Sequence, residues 1–318
     1  MRYLESIDQL SSLDGPLALA IGVFDGVHIG HQAVIGHAVG QAARAGGTAV
    51  VVSFRPHPQR ILNPDVAPGL LTSTPHKVRI LQRIGVENLL MIAFSREFSR
   101  LTPQEFIARL CAAAPALHSI SVGAGWSFGR NREGNLELLG ELGAHHGFEV
   151  TGVPEVHFQG KPVSSTRIRE AVAGGDFAAV NAMLGRPLSL FGTVVEGRRI
   201  GREIGFPTAN VSIQNEQLPP PGVYAAHTML HTEPLPSVVN LGRRPTVADE
   251  HGAVGLEVHV IDFYANLYGI EIEVEILEPL REERKFDSLE ELRGQIEYDV
   301  ARAREICARS ATGNRPPL

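Results

Sequence analysis

The chain has 318 residues, enough for two domains, and its 43% hydrophobic and 20% charged content excludes a disordered or fibrous protein. A net charge of −6 excludes a general nucleic-acid binder, which would present a basic surface. Cys111 and Cys307 stand far apart without metal-ligand spacing, which excludes a disulfide framework or zinc site and suits a reducing compartment.

Residues 1–10 carry Arg2, Glu5 and Asp8 and lack the basic-then-apolar layout of a signal peptide. No run reaches the ~20 apolar residues of a membrane helix, so a cytoplasmic protein without membrane contact is expected. Residues 17–21 read as a buried strand. The stretch Ile21-Gly-Val-Phe-Asp-Gly-Val-His-Ile-Gly-His31 then turns into a helix predicted over 32–45 and closed by Gly46 and Gly47. A glycine-rich strand-to-helix turn collects anions through exposed N–H groups and the helix dipole. Gly26 and Gly30 allow close backbone approach, and His28 and His31 add donors, so the turn suits a nucleotide polyphosphate.

Further buried strands are predicted over 48–54, 88–94, 119–122 and 148–153, and a helix over 76–84. Thr102-Pro-Gln-Glu105 is a capping box with proline at the first helical position. Apolar strands alternating with helices imply a parallel sheet covered on both faces, with ligands at the carboxyl ends of its strands. Phe54-Arg-Pro-His-Pro58 follows the second strand as a rigid loop or a plain turn. The glycine-rich, basic stretch 123–135 is a ligand-covering or a solvated loop. Ser164, Ser165 and Thr166 stand in a row with Arg169 about one turn later. Such hydroxyls are either helix caps or, with the guanidinium, holders of a phosphate tail.

The Gly22–His31 pattern with its His-x-Gly-His, and the Ser-Ser-Thr-x-Ile-Arg segment at 164–169, resemble the bacterial bifunctional riboflavin kinase/FAD synthetase family. The resemblance implies a Rossmann-like, α/β nucleotidylyltransferase domain that joins FMN to the α-phosphate of ATP and releases pyrophosphate. It implies a nucleotide site built from Gly22, Phe24, Asp25, Gly30, Ser164, Ser165, Thr166 and Arg169, with His28 and His31 stabilising phosphate charge. Phe128 is implied at the flavin end. The loop departs from the family's Gly-x-Asp-Phe-x-Phe-Gly pattern: Gly125 stands where an acid is expected, and Trp126 replaces the first phenylalanine.

Residues 185–191 read as a join, dividing the chain into domains at 1–185 and 186–318. Period-2 strands follow over 192–195, 223–229, 237–240, 256–261 and 270–276. Short strands without helices between them predict a small antiparallel barrel. Ser288-Leu-Glu-Glu291 opens one long C-terminal helix to about residue 308. Residues 201–210 are a long hairpin loop or a phosphate-covering segment with Gly197, Gly201 and Gly205. Pro207 stiffens it, and Thr208 and Asn210 offer oxygens suited to a hydrated Mg²⁺. In residues 256–261, Glu257, His259 and Ile261 share the face opposite Leu256, Val258 and Val260.

Pro207-Thr-Ala-Asn210 and Leu256-Glu-Val-His-Val-Ile-Asp-Phe263 resemble riboflavin kinase motifs, as do residues 240–246 and 280–286. That resemblance implies Glu257 as the base for the ribityl 5′-hydroxyl, Thr208 and Asn210 at the metal, Gly197 and Gly201 at the nucleotide, and Arg281 or Arg284 at the flavin. ATP, riboflavin, FMN and FAD are the expected ligands, with Mg²⁺ accompanying ATP. Two alternatives differ in consequence: a riboflavin kinase with an impaired transferase domain, and a non-catalytic flavin-binding regulator.

Overall fold

The structure, a computed structural model, describes residues 1–196, 205–230, 233–243 and 254–312. It forms two compact units, one of Met1–Gly69 with Lys77–Ser165 and one of Leu70–His76 with Thr166–Leu318.

In the first unit the chain runs β1 (Arg2–Leu4), β2 (Leu17–Ile21), α1 (Ile29–Ala45), β3 (Thr48–Arg55), α2 (Pro58–Leu62), α3 (Thr74–Arg83), β4 (Asn88–Ala93), α4 (Pro103–Ala113), β5 (Leu117–Gly123), α5 (Leu136–His146) and β6 (Glu149–Val153). The strands lie in the order β1-β4-β3-β2-β5-β6, all parallel. Every residue of β2 is buried, as a central strand covered on both faces requires. Alternate side chains feed two cores: Leu19, Val52 and Ile120 pack with α4, while Ala20, Val51 and Met91 pack with α1 and α3. The strand order reverses beside β2, so the crevice at the carboxyl ends of β2 and β5 is a topological switch point.

Helix α1 starts three residues earlier than expected. His28 is its N-cap, and its Nδ1 accepts from the His31 N–H at 3.2 Å. Histidine is outside the usual cap set, so the sequence pattern did not mark this start. The capping box at Thr102 is complete, with Thr102 accepting from the Glu105 N–H and Glu105 from the Thr102 N–H, whereas Ser288 accepts from the Glu291 N–H and the Glu291 carboxylate accepts from the Asp287 N–H.

The first unit ends with β7 (His157–Phe158) and β8 (Lys161–Pro162), which pair with each other. Helices α6 (Ser165–Ala173) and α7 (Phe177–Leu184) lead into β9 (Ser189–Val195), β10 (Ala209–Ile213), β11 (Gly222–Leu230), β12 (Glu233–Arg243), β13 (Val254–Val260), β14 (Glu271–Arg281) and α8 (Leu289–Thr312). The strands close an antiparallel barrel in the order β10-β13-β12-β11-β14-β9. Leu190, Val194, Val211, Val239, Leu256, Val258 and Val274 fill it. Val223, Ala225, Val238 and Ile261 face outward against Ala303 and Ile306 of α8. Within the second unit residues 70–76 are tied down by Asn215 Nδ2 to the Leu71 carbonyl at 2.6 Å and Ser73 Oγ to Gln214 Oε1 at 3.0 Å.

Candidate active sites

The turn between β2 and α1 is strained. Phe24 and Val27 take left-handed φ values of 50° and 42°, and Gly26 takes 81°. Left-handed conformations at an aromatic and a β-branched residue each cost about 1–3 kcal/mol, so the surroundings must enforce them. They do so through three alternate carbonyls. Val23 O accepts from Lys77 Nζ at 2.6 Å and Ser53 Oγ at 3.0 Å. Asp25 O accepts from Ser165 Oγ at 2.9 Å, and Val27 O from Gln32 Nε2 at 2.9 Å. In a trans peptide the N–H points opposite to the carbonyl, so pinning these oxygens aims the amides of residues 24, 26 and 28 the other way.

The His28 and His31 rings stack with centroids 3.5 Å apart, and Phe24 meets His31 edge-on at 5.3 Å. Phe24 itself is core, 1% exposed, so it supports the histidines from beneath. Gly22 is required there, because a Cβ would strike the Phe24 ring. Gly30 lies in the first turn of α1. Asp25 is buried, and its carbonyl is the point where the Ser164-Ser165 segment meets the turn. Thr166 is exposed and Arg169 half-buried further along α6.

In the barrel, β10 and β12 flank β13. Asn210 pairs with Glu257, and Glu257 pairs with Asn240. Cross-strand partners share a face, so two amides flank one half-exposed carboxylate. His259 Nδ1 lies 2.9 Å from the Pro207 carbonyl and fixes the approach to Thr208. Thr208 lines a cleft of about 490 Å³ together with Phe263, Tyr264, Asn266 and Tyr268.

Residues 11–167 match the family model described as FAD synthetase, and residues 184–307 match the one described as riboflavin kinase. A bifunctional riboflavin kinase/FMN adenylyltransferase of Escherichia coli K12 is 38% identical over 96% of this chain and 98% of its own length. The chain belongs to this family. Bifunctional relatives from Pseudomonas fluorescens (37% identical; 92% of this chain, 93% of the relative) and Bacillus subtilis (36% identical; 90% of each) agree. A crystal structure titled as a macrolide-efflux protein from Streptococcus pneumoniae superposes with a TM-score of 0.80 at 29% identity, covering 96% of this chain and 99% of that one. Among the described residues no helix is long and apolar enough to cross a membrane.

The residues expected at the flavin end have the following surroundings. Phe128 is only 7% exposed and belongs to the core. Trp126, which stands in place of the family's first phenylalanine, covers it: the rings stack at 4.6 Å and 11°. The row continues from Phe128 through Phe106 and Phe98 to Phe54 at the carboxyl end of β3. Gly125 is exposed, with open space where a Cβ would stand. Arg281 bonds Asp299 Oδ2 at 2.9 Å and Arg284 bonds Gln295 Oε1 at 2.8 Å, and both lie over the Phe286 ring. These guanidiniums brace α8 against the segment that leads to it. Gly197 and Gly201 lie outside the described residues.

Among the described residues no group of three or more His, Cys, Asp or Glu could hold a metal ion by itself. The hydroxyl of Thr208 and the amide of Asn210 are hard oxygen donors. They fit a Mg²⁺ ion that keeps several waters and takes its other ligands from ATP phosphates.

Proposed function

We propose that the two reactions of this family divide at residues 185/186: the barrel phosphorylates riboflavin to FMN, and the parallel-sheet part adenylylates FMN to FAD. The observation that carries this is the coexistence of the pinned His28–His31 turn and the in-register Asn210–Glu257–Asn240 row in one chain.

In the barrel, Glu257 takes the proton from the ribityl 5′-hydroxyl as its oxygen attacks the γ-phosphorus of ATP, and ADP leaves. Asn210 and Asn240 hold the carboxylate's face of the sheet. Thr208 and Asn210 would hold Mg²⁺, which supplies charge neutralisation on the phosphates when bound. In the sheet, an FMN phosphate oxygen attacks the α-phosphorus of a second ATP, and the bond to the β-phosphate breaks. Little covalent chemistry falls to the protein, so positioning and charge stabilisation dominate. His28 and His31 face the phosphates, and Ser164, Ser165, Thr166 and Arg169 hold the leaving pyrophosphate. The exposed side of Trp126 offers the isoalloxazine a stacking surface, supported from below by Phe128. Arg281 and Arg284 contribute to flavin binding by setting the segment before α8. The two free cysteines, Cys111 and Cys307, suit a reducing cytosol.

ATP labelled at either phosphorus tests this reading. From riboflavin, γ-label is expected in both FMN and FAD, and α-label in FAD alone. Absence of α-label from every flavin would leave a kinase with a silent transferase part. Absence of both would favour the flavin-binding regulator.

Trp126→Ala is expected to raise KM for FMN in adenylylation by ~2–10-fold, the worth of one aromatic stack, and to leave riboflavin phosphorylation unchanged. Steady-state kinetics with varied FMN checks it, and an unchanged KM would remove Trp126 from the flavin site.

A further inference from the structure

Lys77 lies in α3, far in sequence from the turn it touches, and its side chain is 6% exposed. Its ammonium donates to the Val23 carbonyl at 2.6 Å and reaches Ser53 Oγ at 3.4 Å. Ser53 donates to the same carbonyl, so the oxygen that enters the strained turn is held twice. The nearby charge is that of Asp25, itself buried at 2% exposure. A buried lysine without a full ion pair is expensive, and a neutral side chain of similar length would fill the space at less cost. Ser53 alone would satisfy the carbonyl. What the lysine adds is a positive charge directly behind the turn and a second hold on the residue preceding Phe24.

We infer that Lys77 is a positioning residue for adenylyl transfer: from behind, it sets the turn that presents the amides of residues 24–28 and the His28–His31 pair to ATP, and its charge offsets that of Asp25 beneath the polyphosphate. This rests on the reading of the first unit as the FMN adenylyltransferase. Each of the pinned carbonyls has its own holder, and Ser165 and Gln32 hold residues 25 and 27. Residue 23 is the one where the strain begins, since Phe24 is the first to take a left-handed φ. Losing the Lys77 hold leaves Ser53 alone on this carbonyl, loosens the turn and shifts both histidines.

Burial lowers the lysine to about 8, partly countered by Asp25. The folded group thus loses its proton well below the unfolded value of 10.5. Its charge is largely present at pH 7 and is lost as pH rises through about 8. Asp25 then loses the positive charge of Lys77 beside it, beneath an anionic ligand.

The test uses the full-length protein and its two activities. FMN adenylylation with ATP varied, and riboflavin phosphorylation, are measured between pH 6.5 and 9.5 for wild type, Lys77→Met and Ser53→Ala. At pH 7, Lys77→Met is expected to lower kcat/KM for ATP in adenylylation at least ~10-fold, with phosphorylation within ~2-fold of wild type. Ser53→Ala should show a smaller loss of the same kind. In wild type, KM for ATP in adenylylation should climb several-fold as pH passes 8, and in Lys77→Met this climb should vanish. Adenylylation by Lys77→Met within ~2-fold of wild type, or the same pH climb in both, would overturn the inference. Equal loss of both activities in both variants would assign Lys77 and Ser53 to folding and overturn it as well. Wild type that forms no FAD from FMN would instead overturn the reading on which the inference rests.

Discussion

The Glu257→Gln chain is expected to lose riboflavin phosphorylation by about 10²–10⁴-fold, the usual contribution of a positioned general base. FAD should still form from supplied FMN. Glutamine keeps the size of the side chain and can still hydrogen-bond, so β13 and its pairing with β10 and β12 are undisturbed. Only the proton acceptor is removed. The carboxylate is half-exposed and flanked in the strand register by Asn210 and Asn240, and among the described residues it makes no ion pair. Chromatographic measurement of FMN from riboflavin and ATP checks the first part, and measurement of FAD from FMN and ATP checks the second. Loss of both would refute the separation of the sites.

The mirror-image result is expected at the other site. His31→Ala should cut FMN adenylylation by about 10²–10³-fold, the scale seen when one preorganised donor to developing charge is removed, and leave phosphorylation of riboflavin intact. His31 stacks on His28 and rests edge-on against the buried Phe24 ring, so its orientation is fixed before substrate arrives. His31 is preferred to His28 for this test. The His28 ring also caps α1 through the His31 N–H, and its removal would mix a cap loss of about 1 kcal/mol with the chemical effect. Initial rates of both reactions on one preparation check the result. A drop in both rates would point to a folding defect.

Much of this was legible in the residues. The apolar runs gave the parallel sheet, and the alternation in residues 256–261 put Glu257 opposite Leu256, Val258 and Val260, the side that fills the barrel. Ile261 shares the outward side but is buried against α8, because a helix covers part of the barrel's exterior. Strand β10 is absent from the sequence expectations, whose loop at 201–210 takes in its first two residues, since five residues are too few to stand out beside a glycine-rich stretch. Strand β1 has three residues, below any periodic signal. Asn240 matched a family stretch, but its place beside Glu257 depends on strand register, which a single sequence does not specify. Lys77 was invisible for a plainer reason: a lysine in a predicted helix reads as solvated, and only the tertiary fold buries it behind a turn 54 residues earlier. That Trp126 lies on Phe128 was not legible either, because the loop sequence does not say which ring lies beneath the other.

The most direct test of two working sites in one chain is separation of the flavins formed by the purified wild-type protein. One reaction contains riboflavin, ATP and Mg²⁺, and the other contains FMN, ATP and Mg²⁺. FAD is expected from both, with FMN as the intermediate in the first. FMN accumulating in the first while the second yields no FAD would contradict the account and leave the His28–His31 turn without its assigned reaction.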